Sequence, residues 1–236
     1  MKYGLVLVAA GRGERLGAPC NKALVPLGKK PLLLHAMDRL IHVPGLEETV
    51  VVLHPDDLEA IKEGDLGGYL YALGARRLIA GGARRQDSVL LGLQALSADV
   101  GGVLIHDAAR PFPDVAVATR LLAALEEHAG AVPVVPVTST VKRIDGRGRV
   151  LETPDRAALR LAQTPQAARR LLLIRALEHA NAADIDVTDD VQALERLGEG
   201  VIAVEDSRWN FKVTTPEDLA LAECVLEQGL AAGESP

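Results

Sequence analysis

Glycines and cationic side chains follow the first apolar segment of the chain, in a pattern that suits phosphate binding. Residues 9–17 read Ala-Ala-Gly-Arg-Gly-Glu-Arg-Leu-Gly, and Lys22 follows shortly after. Glycines let backbone N–H groups come close to phosphate oxygens, and the cations neutralise phosphate charge. Neither a dinucleotide fingerprint nor a Walker A loop fits this spacing. The segment predicts a phosphate site, with a surface loop of solvated arginines as the alternative.

A second cluster follows another apolar segment and contains a carboxylate. Residues 106–111 read His-Asp-Ala-Ala-Arg-Pro, directly after Ile105. Mg²⁺ prefers one or two carboxylates together with substrate phosphate oxygens, so Asp107 is a candidate metal ligand. A turn or helix cap is the alternative. Arg110 could pair with Asp107 or with a phosphate, and we expect His106 to be structural.

Two further clusters complete the set of residues suited to chemistry. Residues 81–88 read Gly-Gly-Ala-Arg-Arg-Gln-Asp-Ser and lead into a predicted helix, where backbone N–H groups and hydroxyls suit recognition of a base or ribose. Residues 210–214 read Asn-Phe-Lys-Val-Thr and follow a predicted strand. Lys212 thus joins the candidate cations.

Short apolar runs that alternate with segments of helical spacing must position these clusters. The runs lie at 5–10, 49–53, 103–106, 131–137 and 201–204. The clearest helix start is Thr215-Pro216-Glu217-Asp218, with a capping hydroxyl, a proline and two acids in the first turn. The alternation predicts βαβ units, hence an α/β fold with a mostly parallel sheet and helices on both faces. Ligands of such sheets bind at the carboxyl ends of the strands, where the four clusters fall.

One stretch does not fit the alternation. Residues 138–152 read as two short strands around an Asp145-Gly146 turn, and they are too polar to form a core of their own. We expect residues 138–160 to form a protruding β-hairpin arm at a dimer interface. The rest of the chain shows no repeat or linker, which predicts a single domain over 1–236.

Composition and charge exclude several classes of protein. The 236 residues are 48% hydrophobic and 25% charged, as in ordinary globular proteins. The net charge of -6 argues against general binding to nucleic acid or membrane surfaces. No apolar run is long enough for a membrane span, and the start does not read as a secretory signal, so a cytoplasmic location is expected. Cys20 and Cys224 have no metal-binding spacing.

Taken together, the motifs resemble the 2-C-methyl-D-erythritol 4-phosphate cytidylyltransferases of the non-mevalonate isoprenoid pathway. The resemblance covers nearly the whole chain. It rests on AAGxGxR and a lysine at 9–22, GGxxRxxSV at 81–89, HDAARP at 106–111, PVxxTxKR at 136–143, TPQ at 164–166, TDD at 188–190 and NxKVTxPEDL at 210–219. It implies a Rossmann-like nucleotidyltransferase sheet and Mg²⁺-dependent transfer of CMP from CTP to methylerythritol phosphate, with release of pyrophosphate.

The resemblance also implies roles for individual residues. The implied catalytic cations are Arg15, Lys22 and Lys212. The implied nucleotide-binding residues are Ala9, Ala10, Gly11, Gly13, Gly82, Asp87 and Ser88. The implied substrate-binding residues are Asp107, which is also the implied metal ligand, Arg110, Thr140 and Arg156. The last two lie on or just after the arm, which in this family reaches over from the neighbouring subunit of a homodimer. The chain departs from the family at Asn21, where proline is common, and at Ser207-Arg208-Trp209, which is often more acidic.

Three alternatives remain open from the sequence. A cytidylyltransferase for another polyol phosphate, such as ribitol 5-phosphate, would share the CTP site. A sugar-nucleotide-dependent glycosyltransferase is suggested by the DxD triplet Asp184-Ile185-Asp186, although helix-capping acids are the better interpretation because the acidic segment continues to Asp190. A non-catalytic nucleotide-binding regulator would not need Lys22, Asp107 and Lys212 together.

Lys22→Ala is expected to leave the fold intact and to abolish most turnover. A substrate phosphate is already largely ionised at neutral pH, with a second pKa near ~6, so the reaction needs positioning and charge neutralisation rather than a general base. By analogy with the loss of an oxyanion-stabilising donor, the rate falls about 10²- to 10³-fold. Steady-state kinetics measure the loss, and unchanged kinetics in a folded variant would contradict the assignment.

Overall fold

A computed structural model describes residues 1–13 and 21–231. Within these residues the main sheet has eight strands. They are β1 (Lys2–Ala9), β4 (Leu46–Leu53), β5 (Ala75–Ala80), β6 (Val100–Asp107), β7 (Gly130–Pro136), β10 (Arg160–Ala162), β11 (Gln166–Arg169) and β12 (Val201–Glu205). Two small antiparallel pairs lie outside it, β2 (Pro26–Leu27) with β3 (Lys30–Pro31) and β8 (Arg143–Ile144) with β9 (Val150–Glu152).

The main sheet is mostly parallel, as the alternation of apolar runs and helical segments predicts. Strands β6, β1, β4 and β5 are parallel neighbours in that order, and β12 runs parallel to β7. Strand β11 lies antiparallel between β6 and β7, and β10 pairs antiparallel with the end of β7. The predicted fold class is confirmed. The two antiparallel insertions were not predicted, because β10 and β11 are too short to show a periodicity of their own.

Helices cover both faces of this sheet. They are α1 (Leu32–Leu40), α2 (Pro55–Glu63), α3 (Asp65–Ala72), α4 (Arg85–Ala95), α5 (Val115–Ala123), α6 (Arg170–Ala182), α7 (Asp190–Arg196) and α8 (Pro216–Glu227). Strand β1 shows how the two cores separate: Leu5 and Leu7 pack with α1, α2, α3 and α5, whereas Val6 points to the core of α4, α6 and α7. This alternation is the expected pattern of a strand buried on both faces. None of the helices in the described ranges has the length and apolar character required to cross a membrane.

Helix α4 is held against the sheet at Gly92 and at its C-terminal end. A Cβ on Gly92 would lie 2.4 Å from Cγ1 of Val6, so the missing side chain lets α4 pack closely on β1. At the other end, the buried guanidinium of Arg170 donates to the carbonyl oxygens of Leu93, Leu96 and Ser97, at 2.9, 3.0 and 3.1 Å. These bonds satisfy carbonyl groups that the end of a helix leaves unpaired.

The predicted helix start at Thr215 is confirmed. Thr215 caps α8, and the Asp218 carboxylate accepts from the Thr215 backbone N–H at 2.9 Å. Asp114 caps α5. The acidic segment before α7 caps that helix as predicted, through Asp189, while Asp186 pairs with Arg84 at 3.1 Å.

The predicted hairpin is present and stands away from the main sheet. Its strands β8 and β9 pair with each other, and Asp145 accepts from the backbone N–H groups of Arg147 and Arg149 in the turn. Arg160, the last residue of the predicted arm, already belongs to β10 of the main sheet. Apolar side chains of the arm and of β10 are more than half exposed; they are Ile144, Val150, Leu151 and Leu161.

Candidate active site

The carboxyl ends of β1, β5 and β6 open into one cleft. It is bordered on one side by the N-terminus of α4 and on another by Lys212, which follows β12. The described residues that line the cleft include Ala9, Ala10, Gly11, Lys22, Gly82, Arg85, Ser88, Asp107 and Lys212. Segments from all four clusters therefore meet at one site.

The loop after β1 is tied to the segment that carries Lys22. The Asn21 amide donates to the Ala9 carbonyl at 2.6 Å, and its oxygen accepts from the Ala23 N–H at 3.0 Å. Gly13 has φ of +71°, and a Cβ there would lie 2.4 Å from Cβ of Lys22. Asn21, which stands where the resembling family commonly has proline, thus fastens the Lys22 segment to the end of β1. Arg15 lies outside the described residues.

The N-terminus of α4 forms the opposite wall. Ser88 Oγ accepts from the Gly82 N–H at 3.1 Å, which orients the two predicted nucleotide-binding residues relative to each other. Asp87 is placed differently: its carboxylate accepts from the Arg84 guanidinium at 2.9 and 3.0 Å and from Asn181 at 3.2 Å. Asp87 therefore organises the start of α4 and is not among the residues that line the cleft.

Asp107 is the centre of the charged groups in the cleft. Asp107 is 8% exposed. Its two oxygens accept hydrogen bonds from different cations: Oδ1 from Arg85 Nε at 3.0 Å, and Oδ2 from Lys212 Nζ at 2.6 Å. Burial raises the pKa of Asp107, but Arg85, Lys212 and Arg110 together outweigh burial and hold that pKa well below its ordinary value. The carboxylate is therefore ionised.

These contacts bear on the predicted metal site. Asp107 is the only carboxylate among the described residues that line the cleft, and both its oxygens are hydrogen-bonded to cations. Within the described ranges no group of three or more His, Cys, Asp or Glu side chains could hold a metal ion. The described residues offer one carboxylate, Asp107, so substrate phosphate oxygens and water would have to supply the other ligands of a Mg²⁺ ion. The role of Asp107 as a metal ligand stays a prediction.

His106 is fully buried and supports Asp107 from behind. Thr164 Oγ1 lies 3.1 Å from the Asp107 backbone N–H, from which it accepts, and 3.0 Å from His106 Nδ1. His106 Nε2 lies 2.9 Å from the carbonyl oxygen of Arg110 and donates to it. Burial lowers the pKa of His106 to about 4, so the ring is neutral at pH 7. This geometry agrees with the structural role expected for His106.

Arg110 lies next to this group and binds the loop that precedes Lys212. Its Nη1 donates to the Asn210 carbonyl at 2.8 Å, while its buried Nε has no hydrogen-bond partner among the described residues. Gln163 Nε2 donates to the same carbonyl at 3.0 Å. The predicted substrate-binding residue Arg110 thus also fixes the backbone on which Lys212 stands.

The two predicted substrate-binding residues of the arm lie apart from the cleft of their own chain. Thr140 and Arg156 are exposed, and Arg156 Nη1 donates to the Thr138 carbonyl at 2.6 Å. Neither is among the described residues that line the cleft. The structure does not bring them together with Asp107 and Lys212 within one protomer.

Sequence reasoning missed the partnership of Arg85 and Asp190. Arg85 Nη1 and Nη2 donate to the two oxygens of Asp190 at 2.8 and 2.9 Å, and Asp190 is 1% exposed. Both residues lie inside motifs that the sequence singled out, GGxxRxxSV and TDD. Arg85 and Asp190 lie far apart along the chain, so the sequence does not indicate their contact. Helix capping was already a sufficient explanation for the acidic residues of the TDD motif.

Comparisons with known proteins agree with this geometry. The family model described as IspD, 2-C-methyl-D-erythritol 4-phosphate cytidylyltransferase, matches residues 4–228. A protein of that name from Chromobacterium violaceum is 46% identical over 92% of this chain and 95% of its own length. Another, from Frankia casuarinae, is 43% identical over 95% of this chain and 81% of its own length.

Solved structures show the same similarity. The 4-diphosphocytidyl-2C-methyl-D-erythritol synthase of Anaerococcus prevotii superposes with a TM-score of 0.84 at 29% identity and covers 96% of each chain. The 2-C-methyl-D-erythritol 4-phosphate cytidylyltransferase of Thermus thermophilus superposes with a TM-score of 0.77 at 34% identity, over 94% of this chain and 98% of that one.

The lowered pKa of His106 predicts a stability loss in mild acid. The unfolded chain binds a proton near pH 6.5, whereas the folded chain does so only near pH 4, so stability decreases as the pH falls through that interval. Between pH 7 and pH 5 this one group costs about 2 kcal/mol. Urea unfolding at both values should show a smaller pH dependence for His106→Gln, and the same dependence as the unaltered protein for the exposed His42→Gln. An equal slope in all three proteins would refute the assignment.

Proposed function

The chain belongs to the 2-C-methyl-D-erythritol 4-phosphate cytidylyltransferase family, and on that premise we propose how its residues divide the work of the reaction. The enzyme transfers CMP from CTP to the phosphate of methylerythritol phosphate in isoprenoid precursor biosynthesis. An acceptor phosphate oxygen forms a bond to the α-phosphorus of CTP, and the bond from that phosphorus to the bridging oxygen of pyrophosphate breaks. The products are 4-diphosphocytidyl-2-C-methyl-D-erythritol and pyrophosphate.

The convergence of Lys22 and Lys212 on one cleft is the observation that carries the proposed mechanism. Both reacting groups are anionic, so their approach requires cations in fixed positions, while the ionised acceptor phosphate needs no general base. Lys22 stabilises the charge that develops at the α-phosphate, and we assign the same role to Arg15. Lys212, next to Asp107 and Arg110, positions the acceptor phosphate.

The nucleotide binds against the wall of the cleft that is formed by the loop after β1 and the start of α4. Ala9, Ala10, Gly11 and Gly13 bring backbone groups to the triphosphate, and Gly82 and Ser88 contact the cytidine. Support comes from the start of α4, where Ser88 Oγ accepts from the Gly82 N–H and both residues line the cleft.

Mg²⁺ enters this proposal as part of the nucleotide substrate. The ion binds phosphate oxygens readily and commonly keeps only one or two carboxylate ligands. Since both oxygens of Asp107 are already hydrogen-bonded, triphosphate oxygens and water would supply most of the ligands of the ion. The bound ion would neutralise the triphosphate and the departing pyrophosphate.

The active unit in this proposal is a homodimer joined by the arm. The exposed apolar side chains of the arm and β10 are the support, since a hairpin that packs on nothing is marginal in water. In the dimer, Thr140 and Arg156 of one protomer complete the acceptor site of its partner. We place the enzyme in the cytoplasm, where CTP is available, with no nucleic acid or membrane among its partners.

The first test is pyrophosphate release from CTP and Mg²⁺ with two acceptors in parallel. Release with methylerythritol 4-phosphate and none with ribitol 5-phosphate is the expected result, because Asp107, Arg110 and the arm are assigned to the first acceptor. Release only with ribitol 5-phosphate would retain the CTP site and overturn the acceptor. Saturable CTP binding without product from either acceptor would point to a non-catalytic regulator.

The arm predicts a linked loss of assembly and activity. Replacing Ile144 and Val150 by Asp places charges on the exposed apolar surface of the hairpin, so the variant should be monomeric by light scattering. The kcat/KM for methylerythritol phosphate should fall by about 10²-fold or more, because a misplaced substrate-binding group costs that much. CTP binding should persist.

Leu171→Asp provides the matched control. Leu171 is 68% exposed on α6, outside the arm, so its replacement should change neither mass nor kinetics. A monomeric but fully active arm variant would contradict the role of the arm in the acceptor site.

A further inference from the structure

Four charges of alternating sign form a continuous chain beneath the cleft. Asp190 accepts two hydrogen bonds from Arg85, at 2.8 and 2.9 Å. Arg85 also donates through Nε to Asp107 at 3.0 Å, and Asp107 accepts from Lys212 at 2.6 Å. The side chains of Asp190 and Asp107 are 1% and 11% exposed, whereas those of Arg85 and Lys212 are 30% and 35% exposed. The acidic members are thus buried and the cations reach the cleft.

Each side-chain nitrogen atom of Arg85 donates a hydrogen bond within the protein. All three of its nitrogen atoms donate to carboxylates, and the planar fork of a guanidinium is what allows one side chain to bridge two of them. Asp190 is itself anchored, because Gln166 Oε1 accepts from the backbone N–H groups of Asp190 and Val191, both at 3.0 Å. Asp190 therefore sets the position of Arg85 from the interior of the protein.

A buried carboxylate requires a counter-charge at every stage of the reaction. If Lys212 were the only partner of Asp107, an incoming phosphate that drew the ammonium away would leave an uncompensated charge in the protein interior. The pair would then resist separation, and Lys212 would remain on Asp107. Arg85 supplies a second, permanent partner on the other oxygen of the same carboxylate.

We propose that Arg85, oriented by Asp190, is a positioning residue that keeps Asp107 neutralised while Lys212 moves its hydrogen bonds to the acceptor phosphate. Arg85 acts through Asp107 and Lys212 and does not itself touch the reacting atoms. The inference rests on the proposed function, in which Lys212 positions the acceptor.

Arg85→Gln tests this role most directly. The variant keeps hydrogen-bonding groups but removes the charge, so Lys212 becomes the only cation that donates a hydrogen bond to Asp107. We expect kcat/KM for methylerythritol phosphate to fall roughly 10²-fold, comparable to losing one charge-stabilising donor, while KM for CTP stays within about twofold. Arg85→Lys should recover only part of the loss, because an ammonium cannot bridge both carboxylates.

Arg170→Gln is the matched control for a merely structural role. Arg170 is also a largely buried arginine with three hydrogen bonds, and it holds the opposite end of the same helix. Its replacement should lower the melting temperature and leave the kinetics of the folded enzyme unchanged. If Arg85→Gln does not fold, Asp190→Asn offers the same comparison, with an expected loss of about tenfold in kcat/KM for the acceptor.

A double-mutant cycle with Lys212→Ala decides whether Arg85 acts through Lys212 or has only a structural role. If Arg85 acts through Lys212, Arg85→Gln should cost less than about threefold in the Lys212→Ala background. Equal losses in both backgrounds, or the same kinetic loss in Arg170→Gln, would overturn the inference. The proposed function fails separately, if the unaltered enzyme releases no pyrophosphate with methylerythritol phosphate.

Discussion

Asp107 is a nearly buried carboxylate at the carboxyl end of a central strand, and Arg85 and Lys212 donate to its two oxygens. Breaking such a buried pair by removing one partner is costly, typically about 3 to 5 kcal/mol, because a charge is left unpaired. The three side chains come from β6, from the start of α4 and from the loop after β12. Their mutual dependence therefore ties distant parts of the chain to one point in the cleft.

Much of the surrounding structure holds these charged side chains in fixed positions. The close packing of α4 on β1 at Gly92 sets where the helix, and Arg85 at its start, lie relative to the sheet. A neutral His106 and Thr164 hold the backbone of Asp107, and Arg110 holds the loop that carries Lys212. The carboxylates of this group are buried and its cations are partly exposed, so an incoming phosphate meets positive charge from the cleft side.

This arrangement suits a reaction between two anions. Cations whose positions are set in advance stabilise the transition state without the reorganisation that water would require. The cost is that the site must be assembled from many segments, and the proposed dimer extends this by taking Thr140 and Arg156 from a second chain. Cytidylyl transfer, the activity of the family to which the chain belongs, needs this kind of electrostatic positioning and no nucleophilic side chain.

Local patterns in the sequence determined the elements and the residue types of the site. The apolar runs predicted the parallel core strands, the Thr215-Pro216 start predicted α8, and the four clusters were expected at strand ends, where Gly82, Ser88, Asp107 and Lys212 do meet. Such features depend on residues that are neighbours along the chain, so periodicity and capping reveal them.

Only the tertiary structure decided which charges pair. Arg85 bridges Asp107 and Asp190, and Asp87 accepts hydrogen bonds from Arg84 and Asn181. Strand β11 lies antiparallel between β6 and β7. The partners of these contacts lie far apart in sequence, and each side chain had an adequate local explanation as a cap or a solvated charge. The folded chain chooses among them because burial makes an unpaired charge expensive, and burial is a property of the whole fold.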